Sequence, residues 1–266
     1  NHSFNIFLIL ILIIGSFLRI YNINFEDLWI DEISTFWISN PNIDFETSYK
    51  NNSSLEVQPF FYNFLMKIYF SFLGYNVDYG RYVSAIFSTL SILSVSYISW
   101  TISKNKSYLL TAFLVSFNIF LISYAQELRV YSILFFFISL TIIFILQSLK
   151  KENFFNIFFL NFTFIFSIFL HPFSLILLFS TMLYLLLIFL VKRMLYKKII
   201  YSIIGISVIA IIYNLVHLIN LVPDSSEAYF FLDNPNLKFI TNMYFSKFFG
   251  SRILGLCFLF LFLFAL

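Results

Sequence analysis

Charged residues are scarce in this sequence: they make up 11% of 266 residues, while 61% are hydrophobic. Soluble globular domains carry about a quarter charged residues, so this composition excludes a cytosolic dehydrogenase, a nuclease and a disordered tail. The single cysteine, Cys257, excludes a disulfide framework and a cysteine-based metal cluster. The basic residues form no dense block, so we expect no nucleic-acid partner.

Long uncharged segments dominate instead, and a helix needs roughly 20 apolar residues to cross a bilayer. The uncharged segment 153–191 is too long for one helix, and it is divided before Pro172, since proline disfavours helix in the preceding residue. The predicted fold class is all-α, a polytopic transmembrane helix bundle forming a single domain over 1–266. Because the chain stops within an apolar run at Leu266, we expect it to be C-terminally truncated. We predict eight spans, the last one incomplete, at residues 3–21, 81–103, 107–124, 130–149, 153–170, 172–191, 199–221 and 249–266.

The loops between these helices differ in charge. Basic residues are concentrated in alternate loops, which places those loops in the cytoplasm by the positive-inside rule. Nearly all the carboxylates then fall on the other side, where we expect any chemistry to occur. The basic residues are Lys104, Lys106, Lys150, Lys151, Lys192, Arg193, Lys197 and Lys198.

The first extracytoplasmic loop, residues 22–80, is too apolar for a disordered connector. Within residues 59–74 a polar stripe of Asn63, Lys67 and Ser71 recurs every four residues, which predicts an amphipathic helix lying at the membrane interface. Pro59 suits the first turn of this helix and Gly74 its end.

The first loop carries the adjacent carboxylates Asp31 and Glu32 in an aromatic setting. Such surroundings change the basicity of a carboxylate, which makes this pair a candidate for acid–base chemistry. The structural alternative is that Asp31 only caps a short helix that runs through Trp37, because aspartate is a favoured N-cap residue.

Glu127 and Arg129 lie between the third and fourth predicted spans. Residues two apart on a helix point in nearly opposite directions, so each of them needs another partner. Arg129 either snorkels to the interface or offers its forked guanidinium to a phosphate or to a carboxylate of the first loop. Lys238 and Lys247, in the last outer loop, are solvated or meet an anionic headgroup.

His171 lies on the same predicted side of the membrane. A lone histidine between apolar helices is more often a hydrogen-bonded structural residue than a metal ligand. Together with Asp31, Glu32 and Glu127 it offers donors for a divalent metal ion, although no ligand spacing demands one.

Four motifs occur in order along the chain: Asp31-Glu32, QPFFY at 58–62, GRYVSA at 80–85 and YAQELRVY at 124–131. Their order resembles that of the polytopic GT-C glycosyltransferases, in particular the dolichyl-phosphate-mannose protein mannosyltransferases and the bacterial lipid A aminoarabinose transferases. The resemblance runs from about Phe4 to His171. Gln58 departs from the family's proline motif, which usually has a small residue or a second proline there.

The resemblance implies a membrane enzyme that moves a sugar from a polyprenyl-phosphate donor to a protein, lipid or glycan acceptor by an inverting displacement, at the extracytoplasmic face of a bacterial plasma membrane. It implies Asp31 as the base and Glu32 as the group that orients it, contacts a metal ion or pairs with Arg129. The remaining site residues that it implies bind substrate: Arg129, Glu127, Arg81, His171 and Tyr131, with Glu32 and His171 as possible ligands of a divalent metal ion.

Two other classes remain open. A secondary transporter or lipid flippase would place its ionisable groups near the bilayer midplane, whereas the carboxylates here lie at one end of the predicted spans. A noncatalytic scaffolding subunit has no need for a carboxylate–arginine cluster. The position of the carboxylates at one end of the spans and the carboxylate–arginine cluster both favour an enzyme.

Overall fold

The computed structural model describes residues 2–104, 107–220, 241 and 251–265. These residues form helices and no strand, so the predicted all-α class is confirmed for this part of the chain. The helices, numbered in chain order, are α1 His2–Ile20, α2 Ile30–Ile38, α3 Phe45–Leu55, α4 Phe61–Leu73, α5 Val77–Ser103, α6 Ser107–Ser116, α7 Ile119–Ala125, α8 Tyr131–Lys150, α9 Phe154–Leu170, α10 Ser174–Lys192, α11 Lys197–Asn220 and α12 Arg252–Ala265.

Within the described residues, four helices are long and apolar enough to cross a membrane: α5, α8, α10 and α11. The count becomes five if α6 and α7 together form one span. The predicted eight spans are not supported, because the apolar segments of α1 (Ile6–Ile20) and α9 are shorter than the others. The eighth predicted span, 249–266, lies partly outside the described residues, and its described helix α12 has 14 residues.

Two apolar clusters form the core. One joins α8, α9, α10 and α11 through residues such as Leu160, Phe164 and Ile203. The other packs Tyr62, Met66 and Phe70 of α4 against Leu128 and the start of α8. The second cluster therefore attaches the first loop to the turn between α7 and α8, which carries Glu127 and Arg129.

The third predicted span is broken. α6 and α7 meet at an angle of 56°, around Phe117 and Asn118. Asn118 is the N-cap of α7, and its side chain accepts a hydrogen bond from the Leu121 amide, an arrangement that favours a new helix start. The guanidinium of Arg19, which is fully buried, donates to the carbonyl oxygens of Val115 and Ser116 at the end of α6.

The helix predicted at 59–74 is α4, which begins at Phe61, so Pro59 precedes it. It ends where predicted, at Gly74, whose φ of 103° is in the region that favours glycine. Two members of the polar stripe turn inward: Asn63 is buried, with Nδ2 donating to Asn52, and the Lys67 ammonium binds the backbone carbonyls of Asn40 and Ile43. The third, Ser71, is exposed, and its hydroxyl donates to the Ile68 carbonyl.

Exposed apolar residues lie on α4 away from this stripe, with Phe72 82% exposed. The predicted amphipathic pattern is therefore present, but Asn63 and Lys67 of its polar stripe point into the loop. Lys67 satisfies backbone carbonyls of the loop that have no ladder or helix partner of their own.

Candidate functional site

A buried ion pair holds the start of α2 against α5. Arg81 donates from Nε to Oε1 of Glu32 at 2.9 Å and from Nη2 to Oε2 at 2.8 Å, and both side chains are at most 4% exposed. Glu32 also accepts a hydrogen bond from the Leu128 amide at 2.6 Å, and Arg81 donates to the carbonyls of Ile23 and Glu26. The pairing predicted between Glu32 and Arg129 is therefore wrong, because Arg81 already occupies both carboxylate oxygens.

A second cluster surrounds Arg129, which is 5% exposed. Its Nη1 donates to Glu56 Oε1 and to Thr35 Oγ1 at 2.9 Å each, and to the backbone carbonyl of Asp31 at 3.0 Å. Its Nη2 lies 3.5 Å from the carboxylate of Asp31, whose side chain is 41% exposed. Burial acts to lower the pKa of Arg129, but the charge and hydrogen bond of Glu56 outweigh it and raise that pKa. Arg129 stays protonated.

These contacts decide between the alternatives for Arg129 and for Asp31. Arg129 contacts carboxylates of the first loop, which were among the partners predicted for it. Asp31 is not the N-cap of α2: that position is Trp29, and Asp31 lies in the first turn of the helix. A carboxylate there is stabilised by the positive end of the helix dipole.

Glu127 lines a cleft of about 450 Å³ between the first loop and α7. Its Oε2 is buried and has no hydrogen-bond partner among the described residues. Burial and the nearby charge of Glu32 raise the pKa of Glu127 to about 7, against the opposing effect of Arg129. The cleft, called the Glu127 cleft below, is lined by Asn22, Ile23, Glu26, Asp27, Trp29, Glu32, Arg81, Ile119, Ile122, Ser123, Gln126 and Glu127.

Aromatic rings and His171 complete the surroundings of Arg129. The rings of Trp29 and Tyr131 have their centroids 6.0 and 5.8 Å from its guanidinium carbon. The His171 ring lies 5.9 Å from that of Tyr131, and its Nδ1 accepts a hydrogen bond from the Phe173 amide. Burial and the positive charge of Arg129 lower the pKa of His171 to about 4, so the imidazole is neutral at pH 7.

Two residues of the Arg129 cluster were not predicted from the sequence as site residues, Glu56 and Thr35. Glu56 is 8% exposed and ends α3, and its Oε1 also binds the Ser34 hydroxyl. The signal for Glu56 was present: Arg129 needed a partner, and Glu56 is a carboxylate in an apolar loop. Thr35 carries no such signal, because a hydroxyl group has no charge to balance.

The predicted metal ligands do not fit a divalent cation. Two nitrogens of Arg81 and the Leu128 amide already bind the oxygens of Glu32, which takes three of the roughly four lone-pair sites of this carboxylate. Across the described ranges, no group of three or more His, Cys, Asp or Glu side chains converges as a metal site would require.

Lys238 and Lys247, the lysines predicted to meet an anionic headgroup, lie outside the described residues. Comparison with known proteins finds no matching family model, no matching curated protein and no matching solved structure. The likeness to the GT-C glycosyltransferases therefore rests on the four sequence motifs.

Proposed function

We propose that this protein is a membrane glycosyltransferase that moves a sugar from a polyprenyl-phosphate donor to an acceptor protein, lipid or glycan at the extracytoplasmic face. The observation that carries the proposal is the contact of Arg129 with Asp31 and Glu56, 3.5 and 2.9 Å away. This contact joins the first loop to the turn before α8, and it brings together two of the four motifs that resemble the GT-C enzymes.

The chemistry suits this arrangement. An inverting transfer needs a carboxylate that takes the proton of the attacking acceptor group, and a surface where a lipid donor and a polar acceptor meet. Asp31, which the resemblance implies as the base, is 41% exposed beside Arg129. Glu127 lines the adjacent cleft, and its Oε2 is buried without a hydrogen-bond partner among the described residues.

The two arginines have positioning roles in this proposal. Arg81 binds Glu32 and two backbone carbonyls through all three of its nitrogens. Arg129 binds Glu56, Thr35 and the backbone carbonyl of Asp31 through Nη1, while its Nε has no partner among the described residues. They hold the first loop on the bundle, and the chemistry then depends on the geometry that they fix.

The apolar helices of the described chain support a membrane protein, and the charge of the loops supports the orientation that we propose. The basic loops would then lie in the cytoplasm of a bacterial cell and the Asp31–Arg129 cluster on the periplasmic or extracellular side of its plasma membrane. A transporter or flippase is the alternative function. The sequence favours it less, because the carboxylates gather at one end of the helices.

The test uses the purified full-length protein in lipid vesicles with radiolabelled polyprenyl-phosphate hexoses and membranes of the source organism. Label that leaves the prenyl lipid, followed by thin-layer chromatography, supports transfer. Label that changes leaflet but stays on the prenyl lipid supports a flippase and refutes the proposal. As a control, Glu46→Gln should release label as the wild type does, since Glu46 only makes an exposed ion pair with Lys50 on α3.

A further inference from the structure

A groove runs between α9 and α11, at the end of the bundle that carries the basic loops. Its volume is about 640 Å³, which falls in the range of sites that hold a small molecule. The apolar side chains on its α9 wall recur at helical spacing, so they share one face of that helix. They are Phe154, Ile157, Phe158, Phe162 and Ile165, and the cavity is called the α9–α11 groove below.

The α9–α11 groove is about as deep as one leaflet of a bilayer. From Phe154 to Ile165 a helix rises about 17 Å, and half of a hydrocarbon core of roughly 30 Å is about 15 Å. The rings of Phe154, Phe158 and Phe162 are 84%, 52% and 49% exposed. An acyl chain laid along this wall would therefore contact aromatic rings from the membrane surface to the bilayer midplane.

Polar groups lie at the surface end of the groove. Lys198 and Tyr201 of α11 line it there, beside Asn153 at the start of α9. The Lys198 side chain is exposed and donates to the Glu152 carbonyl at 3.1 Å. An ammonium has three donors, so Lys198 can also donate to an anion.

The charge around this end is positive. Segments 150–153 and 192–198 contain six basic residues and one acid, Glu152. Glu152 is held at the start of α11, where its Oε1 accepts a hydrogen bond from the Ile199 amide at 3.3 Å. The basic side chains therefore outnumber the acid at the place where a lipid headgroup would lie.

The two walls of the groove are held together without a ligand. Asn161 of α9 donates from Nδ2 to the Ser202 hydroxyl of α11 at 3.2 Å, and Leu160, Phe164 and Ile203 pack behind it in the apolar core. A ligand that enters a groove of fixed shape loses less free energy to ordering of the protein.

We propose that the α9–α11 groove binds one anionic phospholipid from the leaflet on the side of the basic loops. One acyl chain lies along the phenylalanine wall of α9, and the phosphate accepts hydrogen bonds from the Lys198 ammonium and the Tyr201 hydroxyl. Basic pockets between membrane helices on the cytoplasmic side are recurring sites for anionic headgroups. This inference is independent of the proposed glycosyl transfer.

The experiment places the purified full-length protein in phosphatidylcholine vesicles that contain a small fraction of phosphatidylglycerol with a photoactivatable acyl chain. After illumination, mass spectrometry measures the label on α9 and on α10, whose Phe179 is 68% exposed and reports ordinary contact with lipid. One lysine near a headgroup changes affinity by about fivefold, so α9 should carry at least about fivefold more label than α10. The same probe with a phosphatidylcholine headgroup should label α9 at least about fivefold less.

Lys198→Gln should lower the label on α9 by about fivefold and leave the label on α10 unchanged. Lys104→Gln is the matched control, because it removes the same charge on the same predicted side of the membrane. Lys104 lies over the ring of Trp100 on α5, which does not line the groove, so this variant should be labelled as the wild type is. Elution at the wild-type position in gel filtration verifies the folding of both variants. If Lys198→Gln does not fold, the two headgroups compared on the wild type still decide.

Equal label on α9 and α10 identifies ordinary lipid contact and overturns the inference. Equal label on α9 from the two headgroups means that the groove does not select charge, and wild-type label in Lys198→Gln places the headgroup elsewhere; either result overturns it. Stronger label on α9 from a photoactivatable polyprenyl phosphate assigns the groove to a prenyl lipid and also overturns it. The proposed function stands or fails separately, because no sugar is transferred in this assay.

Discussion

The ion pair between Glu32 and Arg81 gives the sharpest test of how the first loop is held. Glu32→Gln keeps the shape of the side chain but removes the charge that faces Arg81 at 2.8 Å. Arg81 would then be a buried cation without a counter-charge, and breaking a buried pair in this way costs about 3–5 kcal/mol. The amide nitrogen of the new side chain would also face guanidinium donors or the Leu128 amide, so one of these contacts is lost as well.

For a chain of this size, about 1 kcal/mol corresponds to about 2–4 °C in melting temperature, so the variant should melt about 6–20 °C below the wild type. The assay is thermal unfolding of the detergent-solubilised protein, followed by intrinsic fluorescence. Glu46→Gln is the matched control, because the pair of Glu46 with Lys50 is 77% and 72% exposed. The control should melt within about 4 °C of the wild type, since exposed pairs contribute about 0–1 kcal/mol.

A melting temperature of Glu32→Gln equal to that of the control would refute the reasoning. A second variant separates charge from packing. In the double variant Glu32→Gln with Arg81→Met, no buried charge is left without a partner. This double variant should be more stable than Glu32→Gln alone, because replacement of both members of a buried pair is often close to neutral.

Three further outcomes are expected. Gly80→Ala should lower stability by about 1–3 kcal/mol in the same melting assay, because a Cβ there would lie 2.4 Å from Leu128 Cδ1 and 3.1 Å from Phe70 Cζ; an unchanged melting temperature would contradict this packing. The raised pKa of Glu127 means that the folded protein binds the Glu127 proton more tightly than the unfolded chain does. The contribution of this group to the free energy of unfolding is therefore fully present below pH 4.5 and is lost as the pH rises through about 7. Glu127→Gln should remove that part of the pH dependence of melting, and a profile identical to the wild type would refute it. Arg129→Lys should lower sugar release by at least about tenfold, since a single ammonium cannot face Glu56 with one nitrogen and the Asp31 carboxylate with a second, as Nη1 and Nη2 do; wild-type release by this variant would show that charge alone is sufficient.

Helix positions were predictable from the sequence because lipid-length apolar runs are local. The predicted segments 130–149 and 172–191 lie within about two residues of α8 and α10. The break between α6 and α7 was missed, although Asn118 is a local signal for a new helix start. The other contribution is distant in sequence: Arg19 supplies partners for the carbonyls of residues 115 and 116. A periodicity search along one segment contains no information about such a contact.

The site was partly predictable for a similar reason. The sequence indicated that Arg129 needs a partner, such as a carboxylate of the first loop, and the resemblance favoured Glu32. The structure instead places Asp31 3.5 Å and Glu56 2.9 Å from Arg129. The sequence did not indicate which carboxylate pairs with which arginine. Glu32 and Asp31 are adjacent in the chain, but they point to different arginines, and only the orientation of α2 against α5 determines this choice.

Arg19 has a consequence for how the bundle can change shape. Its hydrogen bonds within the described part of the chain go to neutral oxygens, the Ser88 hydroxyl and the carbonyls of Gly15, Val115 and Ser116. If α6 and α7 straightened into one continuous helix, those last two carbonyls would turn to amides four residues later, and a buried cation would lose half of its ligands. The bend between α6 and α7 and the buried Arg19 therefore stabilise each other. A substitution that removes Arg19, or one that straightens the bend, should lower the stability of the bundle. The contact of α1 with the end of α6 also sets the direction of α7, which leads to Glu127.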